Sequence, residues 1–137
     1  AAVGQLVEGD RPEVVLVVGD GWAPLMMYEW KKETWEPKAI LSEVDCGHSL
    51  SILDFNRDGH LDIWVAEMRL HGENPDAKNL ILLGDGKGNF EITQVSTGIE
   101  NHESKMADLD GDGDYDILDK PYGWETPRLD IWINEGE

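Results

Sequence analysis

Asp54-Phe-Asn-Arg-Asp-Gly-His-Leu-Asp62 and Asp108-Leu-Asp-Gly-Asp-Gly-Asp-Tyr-Asp116 share one nine-residue pattern, D-x-[DN]-x-D-G-x-x-D, and begin 54 residues apart. Oxygen-bearing side chains at alternate positions of a tight loop suit a hard cation of high coordination number, and a glycine after the third acid lets the chain turn back sharply. A second copy with matched flanks marks an internal repeat, not a single acidic turn. The pattern predicts a calcium site in each loop, about two ions per chain. Asp54, Asn56, Asp58 and Asp62 are the side-chain ligands expected in the first loop, and Asp108, Asp110, Asp112 and Asp116 in the second. A main-chain carbonyl near His60 or Asp114 would complete each shell, by analogy with other calcium loops.

These are not EF-hands. The bidentate Glu of that motif belongs at loop position 12, where this chain has Val65 and Asp119. The flanks are also wrong for helices. His48-Ser-Leu-Ser-Ile-Leu-Asp54 precedes the first loop and Leu61-Asp-Ile-Trp-Val-Ala-Glu-Met68 follows it, short β-branched and aromatic runs of strand length. The loop therefore joins two strands.

After the second of those strands comes Asn79-Leu-Ile-Leu-Leu-Gly-Asp-Gly-Lys-Gly-Asn-Phe-Glu-Ile-Thr-Gln-Val95, which reads as a third strand, a Gly-rich turn and a fourth. Loop and flanks together resemble the FG-GAP and VCBS repeats, whose units are β-propeller blades with calcium held between the first two strands. The resemblance implies an all-β chain built of four-stranded antiparallel blades, an incomplete ring of nearly three. Residues 1–137 would form a single partial propeller domain with repeats at about 1–42, 48–97 and 102–137. The first repeat is degenerate. Its Glu8-Gly-Asp-Arg-Pro-Glu13 looks like a shortened family loop, and with Glu13 in register the first and third ligand positions fall on Gln5 and Val7, so no calcium is expected there.

A propeller closes its ring with about four to eight blades of four strands, more than this chain supplies. The expectation is a fragment of a larger ring or a subunit that completes one by self-association, since open sheet edges recruit other strands. A start at Ala1-Ala-Val, without Met, fits a processed or excised piece.

Asp and Glu number 29 against 11 Lys and Arg, a net charge of −18, which disfavours nucleic acid and anionic membrane surfaces as partners. No apolar run is long enough to span a membrane, so no membrane insertion is expected. The single Cys46 excludes an intrachain disulfide and reads as a small buried apolar residue. Simple calcium loops fill more readily outside cells, which points to a secreted, periplasmic or cell-surface protein.

Candidate ligand-binding residues lie elsewhere. His48 and His102 each stand six residues before the first loop acid, at the start of the innermost strand of their repeats. In a propeller that position is near the channel mouth, where two imidazoles could bind a ligand or move a proton, or simply hydrogen bond to backbone. Lys105 lies close by. In Lys120-Pro-Tyr-Gly-Trp-Glu-Thr-Pro-Arg128, the residues Lys120, Tyr122, Trp124 and Arg128 form a loop equipped to stack on a sugar ring and bond its hydroxyls. Trp64 and Trp132 fall within strands and read as core, and Trp30 and Trp35 flank a hairpin across which they could pair.

Three functional classes follow. One is a non-catalytic, calcium-binding extracellular module for a carbohydrate or protein ligand; lectins and integrin alpha chains use similar repeats. A second is part of a polysaccharide-active enzyme, because some calcium-containing propeller lyases resemble this arrangement. The third is a purely structural or assembly element. No nucleophile with a paired base, phosphate-binding loop, dinucleotide fingerprint or thiol-metal motif is present, so no catalytic residue is assigned.

Overall fold

The computed structural model describes residues 1–70, 73–123 and 128–136. Among these residues eleven strands are described: β1 (Ala2–Gly4), β2 (Glu13–Leu16), β3 (Trp22–Lys31), β4 (Thr34–Asp45), β5 (Gly47–Leu53), β6 (Asp62–Glu67), β7 (Lys78–Gly84), β8 (Phe90–Thr97), β9 (Glu103–Ala107), β10 (Asp116–Lys120) and β11 (Asp130–Trp132). They form three antiparallel sheets in strict chain order: β1-β2-β3-β4, β5-β6-β7-β8 and β9-β10-β11. None closes into a barrel. The all-β reading of the sequence is what the chain adopts, and no helix among the described residues is long and apolar enough to cross a membrane.

The hydrophobic period explains how the sheets stack. In β6 every residue is buried, as expected of a strand covered on both faces. Ile63 and Val65 point into a cluster with Leu6, Val15, Leu25, Met27, Val44, Leu80 and Leu82, between the first and second sheets. Trp64 and Ala66, the alternate residues, point the other way and meet Phe55, Ile117, Met106 and Trp132, between the second and third. Of the two tryptophans expected in the core, Trp64 is fully buried and Trp132 is half-buried against the same cluster, each with its indole N–H satisfied: Trp64 donates to Ser104 (2.8 Å) and Trp132 to Asp119 (2.8 Å).

An up-and-down meander places its turns alternately at two ends. At one end lie the three loops joining first to second strands, residues 5–12, 54–61 and 108–115, together with the β3–β4 and β7–β8 turns. Contacts between neighbouring sheets confirm the grouping: the Glu8 amide donates to the Gly86 carbonyl at 3.1 Å, and Lys38 Nζ to the Gly88 carbonyl at 2.6 Å. At the other end lie the β2–β3 link and the connections between sheets. Cys46 makes the first of these connections. It is buried, as expected, in a left-handed conformation (φ 49°), and burial pushes its thiol pKa up.

The first sheet's hairpin pairs Trp30 with Trp35 in direct register, their rings edge to face at 5.3 Å. Trp22 begins β3 and is 70% exposed. It pairs with Asp45 at the end of β4.

Candidate metal and ligand sites

The two acidic loops have nearly the same local structure. Positions four and six take left-handed backbone in both: Arg57 (φ 58°) and Gly59 (89°) in the first, Gly111 (84°) and Gly113 (95°) in the second. Between these kinks the side chains fold back onto backbone two residues ahead. Asn56 accepts from the Asp58 amide (3.1 Å) and Asp58 from the His60 amide (2.8 Å); Asp110 and Asp112 accept from the Asp112 and Asp114 amides at the same distances. Such turns fix the side chains of positions three and five against the loop's own backbone.

The ninth-position acids are fully buried. Asp62 accepts the Phe55 amide at 2.8 Å with one oxygen and the Gly84 amide at 2.8 Å with the other. Asp116 does the same with Leu109 (2.7 Å) and Asn134 (2.9 Å). Asp62 thus clamps its loop to the end of β7, and Asp116 clamps its loop to the segment just after β11. Backbone donors from Asn134 and Leu109 hold the Asp116 carboxyl below the usual carboxylate range, whereas burial pushes the Asp62 carboxyl up against the pull of its two amides. Asp58 is held low by the His60 amide and by Asn56.

Two features fit a cation. In the second loop carboxylate oxygens of Asp108, Asp110 and Asp116 lie within 4.8 Å of one another, a convergence of negative charge that an ion would neutralise. In the first loop Asp54 accepts the Gly59 amide with one oxygen (3.0 Å), while its other oxygen, Oδ1, is buried with no hydrogen-bond partner. A buried carboxylate oxygen lacking a donor is costly and calls for one. Among the described residues, the three-acid convergence occurs in the second loop alone. His60, proposed as a main-chain ligand, turns its ring onto Gly86, where an added Cβ would lie 2.5 Å from its Nδ1. The Asp114 side chain leaves the loop and forms an ion pair with Arg57 of the first loop at 2.6 Å.

At the opposite end the three sheets bring together residues that are distant in sequence. The rings of His48 and His102 stack with centroids 4.9 Å apart, and Tyr122 lies 5.2 Å beyond His102. His48 Nε2 is 3.3 Å from Asp20 Oδ1, on the β2–β3 link of the first sheet. Burial, then the neighbouring His48 and Lys120, lower the His102 pKa, favouring a neutral imidazole. Lys120 donates to the Pro121 carbonyl at 2.8 Å. Lys105 is exposed and pairs with Glu103 (2.9 Å), and Arg128 pairs with Asp130 (2.8 Å), so these two are engaged locally. Trp124 lies outside the described residues.

Sequence reasoning missed a buried polar hub between the second and third sheets. Asp119 is fully buried and receives hydrogen bonds from Trp132 Nε1 (2.8 Å), Asn79 Nδ2 (3.4 Å) and Asn101 Nδ2. Asn101 also donates to Ser104 (2.7 Å) and accepts from Ser49 (3.1 Å). Burial raises the Asp119 pKa to about 6. A signal existed: Asp119 is an acid within a strand-length run, at a position facing the second sheet.

Residues 54–118 match the family model of the FG-GAP-like repeat. The matched segment begins at the first acid of one loop and runs through the whole of the other. A search of curated proteins finds no relative of this chain.

Proposed function

We propose that this FG-GAP-like repeat chain is a calcium-stabilised, non-catalytic β-propeller-type module that binds a carbohydrate or protein ligand outside the cytoplasm. The observation that carries the calcium reading is the convergence of Asp108, Asp110 and Asp116, matched in the other loop by the orphaned Oδ1 of Asp54. Asp54, Asn56, Asp58 and Asp62 would hold one ion, and Asp108, Asp110, Asp112 and Asp116 the other. Bound calcium would supply charge neutralisation and a fixed loop shape. The ninth acids have both oxygens hydrogen bonded, and each oxygen retains a second lone pair for a metal.

The ion end and the ligand end are different ends of the sheets. His48, His102 and Tyr122 offer an aromatic surface with polar edges at the mouth where three sheets meet, suited to stacking on a sugar ring or a peptide side chain. A glycan array read with the wild type and with Tyr122→Ala and His102→Ala tests this placement. Binding unchanged in both variants refutes it. Calcium titration by calorimetry, with and without chelator, tests the metal reading: two ions per chain are expected, and no binding overturns it.

The same cluster favours a second reading as part of a polysaccharide-active enzyme. A neutral His102 beside Tyr122 is chemically able to accept a proton. Absorbance from unsaturated uronic acid on incubation with acidic polysaccharides would identify this activity. Self-association into a larger ring is a further part of the proposal. Val3 and Leu16 on the first sheet and Ile131 and Ile133 at the edge of the third are exposed apolar residues on open sheets. Sedimentation that finds only monomer at all concentrations would remove it.

A further inference from the structure

The two loops are physically joined, and we propose that Arg57 and Asn134 couple them so that calcium in one strengthens binding of calcium in the other. The proposal rests on the calcium reading above and adds a regulatory property to it.

Two connections carry the argument. The first runs through Arg57, the fourth residue of the first loop, which stands between the expected ligands Asn56 and Asp58. Its backbone is left-handed, and its guanidinium reaches across to Asp114, the seventh residue of the second loop, at 2.6 Å. Space for it exists because position six of that loop is glycine. A Cβ at Gly113 would lie 2.5 Å from Arg57 Nη2. In the second loop the residue equivalent to Arg57 is Gly111, so the arm exists once and points one way.

The second connection runs through Asn134, at the position where the second sheet has Gly84. Asp62 receives the Phe55 amide, the Phe55 carbonyl receives Asn134 Nδ2 at 3.2 Å, and the Asn134 amide donates to Asp116 at 2.9 Å. The backbone of Phe55 and one asparagine therefore link the ninth-position carboxylates of the two sites. Gly84 could not play this part in its own sheet: it has no side chain, and a Cβ there would come within 2.4 Å of the Leu61 carbonyl oxygen.

The sign follows from ordering. Without an ion each loop carries repelling carboxylates on a chain with two left-handed kinks, and binding must fix them. With an ion on Asn56 and Asp58, Arg57 between them would be fixed, and with it the side chain of Asp114; the Phe55 backbone would likewise fix Asn134 against Asp116. The second ion then meets a loop already partly ordered, and by linkage the benefit is the same in either direction. Couplings of this kind amount to roughly 5- to 150-fold, and with one half-exposed ion pair and one partly buried hydrogen bond as the connections an effect near the lower end, about fivefold to tenfold, is expected.

The test is calcium calorimetry on the full chain. Asp58→Ala removes the first site and leaves the second to be measured alone; the second site should then bind about five to ten times more weakly than in the wild type. Arg57→Asn keeps a residue that tolerates left-handed backbone but cannot reach Asp114, and Asn134→Ala removes the bridging amide while its backbone N–H still serves Asp116. In an Arg57→Asn/Asn134→Ala background, adding Asp58→Ala should leave the second site's affinity unchanged. Equal or tighter binding at the second site after Asp58→Ala alone overturns the coupling while the calcium reading stands. A coupling that survives in the double background overturns the assignment to these residues. No calcium uptake by the wild type would overturn the calcium reading itself, and the coupling with it. Asn134→Ala alone, which leaves both loops' side chains intact, gives an independent measure if the combined variant folds poorly.

Discussion

The loop of the first sheet and the two acidic loops begin from the same plan and end with different equipment. Glu13 stands where Asp62 and Asp116 stand in the other sheets. It is buried, and one of its oxygens accepts the amides of Leu6 (2.8 Å) and Val7 (2.9 Å), as Asp62 accepts Phe55 and Asp116 accepts Leu109. The acids of positions one, three and five are absent there, replaced by residues such as Gln5 and Val7. An anchor thus persists in a loop without the ligand set. The ninth acid is first a fold element that clamps a loop to its sheet, and the ion ligands are an addition laid over it.

The most severe way to break this comparison is to remove the anchors. Asp116→Ala, which frees two partly buried donors, should cost about 2–3 kcal/mol, and Asp62→Ala, which leaves two buried backbone N–H groups without acceptors, about 4 kcal/mol of stability in the presence of excess chelator. Glu13→Ala should cost somewhat less than Asp62→Ala, about 2–3 kcal/mol, because Leu6 and Val7 donate to a single oxygen and Val7 is only partly buried. Urea denaturation measures all three. A loss below about 1 kcal/mol for Asp116→Ala without calcium would show that its role is ligation alone.

Calcium removal separates the two kinds of loop. With free calcium about a hundredfold above the dissociation constant, each site stabilises the fold by about 2.7 kcal/mol. Chelation should lower the melting temperature, and Asp112→Ala should remove about half of that response. Amide exchange sharpens the contrast: chelation should speed exchange across residues 54–62 and 108–116 and leave residues 5–13 unchanged. Equal acceleration in all three loops would mean that the first loop also senses the ion.

A third contrast lies between Asp116, served by backbone amides and held below the usual carboxylate range, and Asp119, served by side-chain donors and raised to about 6. The folded pKa of Asp119 lies above the unfolded value of 3.8. Its contribution is therefore fully present below about pH 4 and is lost as pH rises through about 6, a change of roughly 3 kcal/mol. Asp119→Asn should flatten the stability profile between those limits, measured in chelator to silence the loops. A profile that keeps its slope in the variant would assign the titration to another group.

How much of this was legible in the sequence depended on the range of the interaction. Strands β5 to β8 were readable because apolar runs of strand length are punctuated by acidic or Gly-rich turns. The loop kinks at Gly59 and Gly113 were readable for the same local reason. Strand β1 was not, since Ala2-Val-Gly4 is too short to show a period, and it is held by pairing with β2. The candidate residues His48, His102 and Tyr122 were chosen singly, but their stacking depends on how successive sheets sit side by side. Arg57 to Asp114, Asn134 to Phe55 and Asp20 to His48 span 57, 79 and 28 residues. Nothing in a local pattern selects such partners, and the polar hub around Asp119 was hidden by the same distance.

The smallest expected effect tests whether the first sheet is stabilised independently of the ions. Trp30 and Trp35 meet edge to face across the β3–β4 hairpin, and Arg11 lies 4.4 Å over the Trp30 ring. Trp35 is 41% exposed, so truncating it creates no cavity, and the loss is confined to the aromatic pair and some apolar cover. Trp35→Ala should cost about 1 kcal/mol. The hairpin tip carries left-handed Lys32 and Glu33 and lies outside the acidic loops. Calcium affinity should therefore remain at the wild-type value, and the destabilisation should be equal with and without chelator. If instead the cost of Trp35→Ala grows when calcium is removed, the first sheet is energetically coupled to the ion-bearing loops. The most direct route for such coupling is the contact of Glu8 and Lys38 with the Gly86–Gly88 turn.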